Sequence, residues 1–172
     1  MNRRETVLAL VALGAAPLAA VAQQAAKVAR IGYLAGNQTA TPHLLEAFRQ
    51  GLRDLGYAEG RNVVIELRDA AGKFEQFSAL AAELVALKVD VIVAPSTPAA
   101  LAAKQAARAL PIVFIGANDP VTDGLVASLA RPGGNVTGLA SLVSELVGKY
   151  LELLKRALPE VSRVAFLWHP GG

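Results

Sequence analysis

The chain has 172 residues, with 17 Lys and Arg against 14 Asp and Glu, so its formal net charge is only +3. It contains no cysteine, which excludes disulfides and thiolate metal sites and leaves packing as the source of stability. The basic residues are spread along the chain and are not interleaved with aromatic residues. The charge pattern therefore predicts no nucleic-acid partner.

The first 22 residues have the features of a cleavable export signal. Two arginines, Arg3–Arg4, precede an apolar stretch over Val7–Ala16, and Ala20–Ala22 follows the small-x-small pattern of a signal peptidase site. The apolar stretch is well short of the roughly 20 residues that a membrane-spanning helix needs. We therefore predict a signal peptide over residues 1–22, a periplasmic location and no stable membrane anchor. The paired arginines leave both the general secretory and the twin-arginine export routes open.

Beyond the signal, short apolar runs alternate with amphipathic segments. The runs predict buried strands at Val28–Ala35, Asn62–Leu67, Val89–Ala94, Ile112–Ile115 and Val136–Leu139. Three- and four-residue spacing predicts helices at Pro42–Leu55, Phe77–Leu87, Pro98–Ala109 and Val121–Leu129. Such alternation is typical of the α/β class, with a doubly wound parallel sheet covered by helices on both faces. We expect the common strand order 2-1-3-4-5.

Two further elements follow the fifth strand. Ser144–Leu158 has the pattern of another amphipathic helix, and Val164–Trp168 begins a sixth strand. Because no helix follows this strand, it cannot complete a second sheet by itself. We predict one ligand-binding lobe over residues 28–140 and the start of an incomplete second lobe over residues 141–172.

Polar residues follow three of the predicted strands at the same edge of the sheet. Thr41-Pro42, Thr97-Pro98 and Asp119-Pro120 each have the pattern of a helix N-cap followed by proline at the first helical position. Ligands of open parallel sheets bind beyond the carboxyl ends of the strands, at the point where the strand order reverses. With the expected order, the loops Gly36–Thr41 and Pro95–Pro98 flank that point. Helix N-termini there favour an anionic or carboxylate group.

Each of these residues also has a purely structural interpretation. Capping alone is an equally good account of Thr41, Thr97 and Asp119 taken singly. Ser96 stands beside a predicted cap and has no structural role in this interpretation, which makes it the stronger ligand candidate. Asn118 either contacts the ligand or tolerates a left-handed turn.

The sequence carries no catalytic signature. It has no dinucleotide-binding glycine motif, no Walker lysine motif and no nucleophile elbow. His43 and His169 have no partner at metal or triad spacing, and Asp119 and Asp123 fit charge placement at a helix N-terminus. The Arg131–Asn135 loop is better explained as a turn than as a phosphate cradle. We therefore predict no enzyme activity, no metal and no cofactor.

Short blocks in a fixed order along the mature chain resemble the bacterial ABC transporter substrate-binding family that includes tryptophan- and tyrosine-binding members. The most specific block is SLARPGGNVTG at 128–138. Others are FRQGLRDLGY at 48–57, EGRNV at 59–63, AAELV at 81–85, VDVIVA at 89–94, PIVF at 111–114 and DPV at 119–121. The resemblance implies a type I periplasmic-binding fold, in which two α/β lobes joined by a hinge close on a small ligand.

By position, the resemblance also implies the residues that contact the ligand. They are Asn37, Thr41, Ser96, Thr97, Asn118 and Asp119. The chain departs from the family pattern at two positions, because relatives commonly have an aromatic residue where it has Asp69 and an asparagine where it has His169.

The resemblance implies that the chain is the periplasmic solute-binding component of an ABC importer. Such a protein captures a small metabolite, with an amino acid as one candidate, and delivers it to the membrane subunits of the permease. Two alternatives stay open at this point. The same crevice suits an exported α/β enzyme acting on a nucleotide or sugar phosphate, and the same lobe suits a ligand-sensing receptor domain.

Overall fold

A computed structural model describes residues 28–141 and 146–165. The predicted signal peptide and its cleavage site lie outside these ranges. The strands of the described part are β1 (Ala29–Ala35), β2 (Val63–Asp69), β3 (Val91–Ala94), β4 (Ile112–Ala117) and β5 (Val136–Ala140). The helices are α1 (Pro42–Asp54), α2 (Phe77–Ala86), α3 (Thr97–Ala106) and α4 (Val147–Ala157), and a short 3-10 turn at Phe74–Gln76 precedes α2.

The strands form one parallel sheet in the order β2-β1-β3-β4-β5. This confirms the predicted α/β class and strand order. β1 pairs with β2 over its whole length, from Ala29 opposite Val63 to Ala35 opposite Asp69. On its other side β1 pairs with β3, so the strand order reverses at β1.

The sheet separates two apolar cores, because successive side chains of a strand point to opposite faces. Tyr33 packs with Leu45 of α1 on one face. Its neighbour Leu34 packs on the other face with Leu84 of α2 and Ala99 of α3. All five side chains are buried, with at most 2% of their surface exposed. Strands that are apolar on both sides are therefore covered on both sides, as a doubly wound sheet requires.

The predicted helix over 121–129 is wrong, because the segment forms turns. A single turn ends at Gly124, whose φ of +71° reverses the backbone. The N–H of Leu125 then donates to the carbonyl of Pro120, which a continuing helix would not permit. The Nζ of Lys104 in α3 donates to the carbonyl oxygens of Gly124 at 2.6 Å and of Leu125 at 3.2 Å. A lysine far away in sequence thus hydrogen-bonds to the two carbonyl oxygens that would accept the N–H groups of a further helical turn.

The C-terminal elements agree only in part with the prediction. The helix predicted from Ser144 begins at Val147, and residues 142–145 lie outside the described part. Residues 161–165 form no regular structure, and the rest of the predicted sixth strand lies outside the described residues.

Helix α4 differs from the other helices in its packing, because it contributes no buried residue. Tyr150, Leu151 and Leu153 are each about half exposed. Its apolar side chains are therefore largely uncovered within the described part of the chain. Within residues 28–141 and 146–165, no helix combines the length and apolar character that crossing a bilayer demands.

The pairing of β4 with β5 requires a residue without a side chain at Gly138, which lies opposite Phe114. A Cβ at this position would overlap the carbonyl oxygen of Phe114 and lie 2.7 Å from its Cγ. We expect Gly138→Ala to lower the free energy of unfolding by about 1–3 kcal/mol, the usual cost of overpacking. Urea unfolding measures the change.

Gly51→Ala is the matched control for this substitution. Gly51 lies within α1 with no heavy atom within 4 Å of an added Cβ. Higher helix propensity should raise the unfolding free energy of this variant by up to about 1 kcal/mol. Equal stability of the Gly138→Ala variant and the native protein would contradict the close approach of β5 to Phe114.

Candidate functional site

A cavity of about 370 Å³ opens beyond the carboxyl ends of β1, β3 and β4. It lies at the point where the strand order reverses, which is the location predicted from the sequence. Its polar side chains come from the loops after these strands and are Asn37, Gln38, Thr41, Ser96, Thr97 and Asn118. Its larger apolar and aromatic side chains are Tyr33, Leu44, Phe74 and Ile115.

Five of the six predicted ligand residues line this one cavity: Asn37, Thr41, Ser96, Thr97 and Asn118. Asp119 is not among the lining residues. No lining side chain in the described part of the chain is an aspartate, glutamate, lysine, arginine or histidine. The wall is therefore polar without being charged. A ligand role for the six residues stays a prediction.

The N-terminus of α3 shows how the loop after β3 is built. Ser96 has an extended backbone and is the N-cap of α3, with its Oγ accepting a long hydrogen bond of 3.4 Å from the N–H of Ala99. Thr97 is already the first helical residue. The predicted cap at Thr97 is therefore wrong by one residue, and the prediction that Ser96 has no structural role is also wrong. The Thr97 side chain is not needed for capping and lines the cavity.

The N-terminus of α1 is arranged differently. Thr41 occupies the N-cap position, but its side chain makes no capping bond, so the predicted role as a side-chain cap is wrong. Its hydroxyl instead donates to the carbonyl oxygen of Asn37 at 2.9 Å. The Oδ1 of Asn37 accepts the N–H of Ala40 at 3.0 Å. These bonds close the loop on itself and hold Asn37 and Thr41 at the wall of the cavity.

Asn118 and Asp119 are adjacent, but they have different surroundings. The Oδ1 of Asp119 accepts the N–H of Thr122 at 3.0 Å, and this bond lowers the pKa of the Asp119 carboxyl. The residue thus caps a turn, in place of the helix predicted there. Asn118 lines the cavity, and its Oδ1 accepts a hydrogen bond of 3.1 Å from the hydroxyl of Ser141, just after β5.

Two aromatic lining residues were missed by the sequence analysis. Tyr33 was included in a buried strand, and it is only 2% exposed. Burial raises the pKa of the Tyr33 hydroxyl, so this group remains a neutral hydrogen-bond donor at physiological pH. Phe74 is 44% exposed and stacks on Phe77, with ring centroids 5.7 Å apart and planes within 7°. A phenylalanine in a polar loop after a predicted strand was the available signal.

This arrangement suits a small molecule with an apolar part and a polar end. Tyr33, Phe74 and the aliphatic side chains offer apolar contact on one side. The hydroxyl and carboxamide groups, and the positive end of the α3 dipole, suit a carboxylate or carbonyl on the other. Among the described residues, no cluster of three or more His, Asp, Glu or Cys side chains could hold a metal ion.

The fold and this cavity define a class of protein, an α/β lobe with a ligand crevice at the reversal of its strand order. Residues 38–172 match the family model for ABC transporter substrate binding proteins. The chain therefore belongs to this family.

Three relatives illustrate the similarity. The chain is 36% identical over 124 residues to a tyrosine-binding protein of Clostridioides difficile (strain R20291), a match that covers 72% of this chain and 35% of the relative. A conserved domain protein from Vibrio cholerae superposes with a TM-score of 0.67 at 35% identity, covering 78% of this chain and 45% of the other. An ABC domain from Streptococcus pneumonia in complex with L-Trp superposes with a TM-score of 0.61 at 31% identity. This match covers 65% of this chain and 38% of the other.

One of these relatives is named as a tyrosine-binding protein, and another was solved in complex with L-Trp. The matches cover between 35% and 45% of the relatives' own lengths. The chain thus spans less than half of the proteins that it resembles.

The Asp119 side chain provides a test of turn capping against ligand contact. We expect Asp119→Ala to lower the thermal midpoint at neutral pH, because the N–H of Thr122 loses its acceptor, and to leave ligand affinity unchanged. The pKa of Asp119 is depressed below 3.8 in the folded protein, so its contribution to stability is present above that pH and lost as the pH falls through the lowered value. The difference in midpoint should therefore close in acid.

Asp123→Ala removes the same charge four residues away and serves as the control. Asp123 is exposed, so this variant should unfold like the native protein at every pH. Scanning calorimetry across the acid range compares the three proteins. If Asp119→Ala instead binds the ligand more weakly and has an unchanged thermal midpoint, Asp119 contacts the ligand and does not act as a turn cap.

Proposed function

We propose that this protein is the ligand-capturing component of an ABC importer and that it binds an amino acid with an aromatic side chain. One observation carries the proposal: a single cavity combines the N-terminus of α3 with the exposed ring of Phe74. The first suits the carboxylate of an amino acid, and the second suits its side chain. Neither a family nor a fold defines a ligand by itself, whereas the α3 N-terminus and the Phe74 ring together favour an aromatic amino acid.

The N-terminus of α3 supplies a binding site for a carboxylate without a charged side chain. The first backbone N–H groups of a helix have no partner within the helix, and the helix dipole places about half a positive charge at that end. In the first turn of α3, Ser96 accepts the N–H of Ala99 with its Oγ and the N–H of Ala100 with its carbonyl oxygen. Pro98 has no N–H, so the backbone N–H of Thr97 is the one in this turn that is left for a carboxylate. The hydroxyl of Thr97 lies at the same wall and is a further donor.

The aromatic residues that line the cavity support an aromatic side chain on the proposed ligand. Phe74 stacks on Phe77, and this contact restricts its ring while 44% of its surface stays exposed for a ligand. Leu44, which is 44% exposed, adds apolar surface, and the cavity of about 370 Å³ is within the usual range for small-molecule sites. The names of two relatives agree with this choice, since one is a tyrosine-binding protein and the other is a complex with L-Trp.

We further propose that residues 28–140 form one of two lobes and that residues from 141 onward begin the second. Two observations support this division. The matched relatives are more than twice as long as the matched part of this chain, and α4 leaves its apolar side chains uncovered. A second lobe would cover α4 and close over the cavity, which would exclude water from the ligand's polar contacts and strengthen them.

Export and delivery complete the proposal. Residues 1–22 would direct the protein to the periplasm, and the closed, loaded form would be recognised by the membrane subunits of the permease. We propose no catalytic step, because Tyr33 is the one titratable side chain at the described wall of the cavity. Its raised pKa keeps it protonated, so it is poorly suited to act as a base at physiological pH.

Titration calorimetry with L-tryptophan, L-tyrosine, L-leucine and L-alanine tests the proposal on the protein in its complete natural form. We expect the aromatic amino acids to bind more tightly than the aliphatic ones. Phe74→Ala should raise the Kd for L-tryptophan about tenfold, equivalent to ~1.4 kcal/mol, since it removes an aromatic contact and its buried area.

Tyr57→Ala is the matched control, because Tyr57 is a comparably exposed aromatic residue at 42% but lies in a separate groove with Arg49 and Leu52. Its affinity for every ligand should equal that of the native protein. If the native protein binds none of the four amino acids, the proposed function is wrong. If Phe74→Ala binds L-tryptophan as tightly as the native protein does, the aromatic wall is not the side-chain site.

A further inference from the structure

The loops after β1 and β2 remain joined beyond the last residues of the two strands. The N–H of Ala70 donates to the carbonyl of Ala35 at 2.9 Å, and the N–H of Gly72 donates to the carbonyl of Gly36 at 2.8 Å. These backbone bonds extend the contact between the two strands into the loops. The loop of residues 36–41 lines the cavity, and the loop of residues 70–73 leads to Phe74.

The carboxylate of Asp69, the last residue of β2, adds a side-chain link between the same two loops. Its Oδ2 accepts the N–H of Gln38 at 3.1 Å, and its Oδ1 accepts the N–H of Ala71 at 3.0 Å. One oxygen thus holds each loop. Hydrogen bonds to an ionised acceptor are among the stronger ones in proteins.

The bond to Ala71 holds a backbone conformation that the sequence disfavours. Ala71 has a φ of +50°, in the left-handed region that residues other than glycine rarely adopt. Such a residue persists only where its surroundings fix it. The carboxylate of Asp69 therefore stabilises the turn from which Phe74 emerges.

The two loops together set the position of the aromatic wall. A Cβ at Gly36 would lie 3.5 Å from a ring atom of Phe74 and 3.6 Å from one of Phe77, so both rings rest close to the backbone of Gly36. A shift of one loop relative to the other would move the Phe74 ring with respect to Gln38, which lines the cavity. Asp69 itself is not a lining residue.

We propose that Asp69 is a positioning residue that sets the ligand selectivity of this site. By holding Gln38 on one loop and Ala71 on the other, it fixes the width of the cavity between the 36–41 loop and the ring of Phe74. A slot of fixed width beside the ring of Phe74 favours stacking of a planar ring over packing of a branched aliphatic side chain. This inference rests on the proposed function, because it concerns the same cavity and the same ligands.

Two readouts on the complete natural protein test the proposal. The first is hydrogen exchange of the Gln38 and Ala71 amides without ligand, followed by NMR. Asp69→Asn keeps the size of the side chain but has only one acceptor oxygen. At least one of the two amides should therefore exchange about tenfold faster, as expected for the loss of a hydrogen bond to a charged group.

The second readout is the ratio of the Kd for L-leucine to the Kd for L-tryptophan. We expect Asp69→Asn to lower this ratio about tenfold, mainly through weaker binding of L-tryptophan, because a looser slot no longer favours the planar ring. If Asp69 had a merely structural role, Asp69→Asn would lower the thermal midpoint and weaken the binding of both ligands by the same factor. Asp123→Asn, which neutralises an exposed carboxylate in the turn over residues 121–124, should leave both readouts unchanged.

Three outcomes would overturn the inference, and they differ from one another. Unchanged exchange at both amides in Asp69→Asn would show that the carboxylate does not hold the loops. Faster exchange with an unchanged Kd ratio would show that the link does not set selectivity. Absence of binding by the native protein would refute the proposed function and the selectivity claim with it, and the exchange rates would distinguish this result from a failure of Asp69 alone.

Discussion

The position of β1 between β2 and β3 is the constraint on which the site depends. The chain leaves β1 toward α1 on one face of the sheet and leaves β3 toward α3 on the other face. Two neighbouring loops therefore diverge, and no backbone fills the space that they leave beyond the strand ends. The cavity, the helix N-terminus at its wall and the aromatic residues around it all follow from that divergence.

The absence of formal charge at the described wall of the cavity fits the proposal that the protein both captures and releases its ligand. A carboxylate held by the N–H and hydroxyl of Thr97 and by the positive end of the α3 dipole needs no desolvated lysine or arginine. In the proposed mechanism, the first lobe supplies shape and neutral polar groups, and closure of a second lobe adds the remaining contacts. Tight binding would then belong to the closed form, and opening would release the ligand.

Much of the fold could be predicted from the sequence, because the apolar runs at residues 28–35, 89–94 and 112–115 are covered on both faces and the pattern of alternation is local. The misplaced helix over 121–129 was not predictable in this way, since its acceptors are taken by Lys104, some twenty residues away. Capping was assigned to Thr97 instead of Ser96 because both are good N-cap residues and only the backbone angles distinguish them. Phe74 was missed because its place at the wall depends on the close approach of its ring to Gly36, which lies far away in sequence in the loop after β1.

NMR mapping with ¹⁵N-labelled protein shows directly whether an aromatic amino acid binds at the carboxyl edge of the sheet. On titration with L-tryptophan, the largest chemical-shift changes should occur at the backbone amides of residues 36–41, 97, 99 and 116–118. Amides around the groove lined by Arg49, Leu52 and Tyr57, on another part of the surface, should not respond. Shift changes centred on that groove, with the amides at the start of α3 unaffected, would contradict the account.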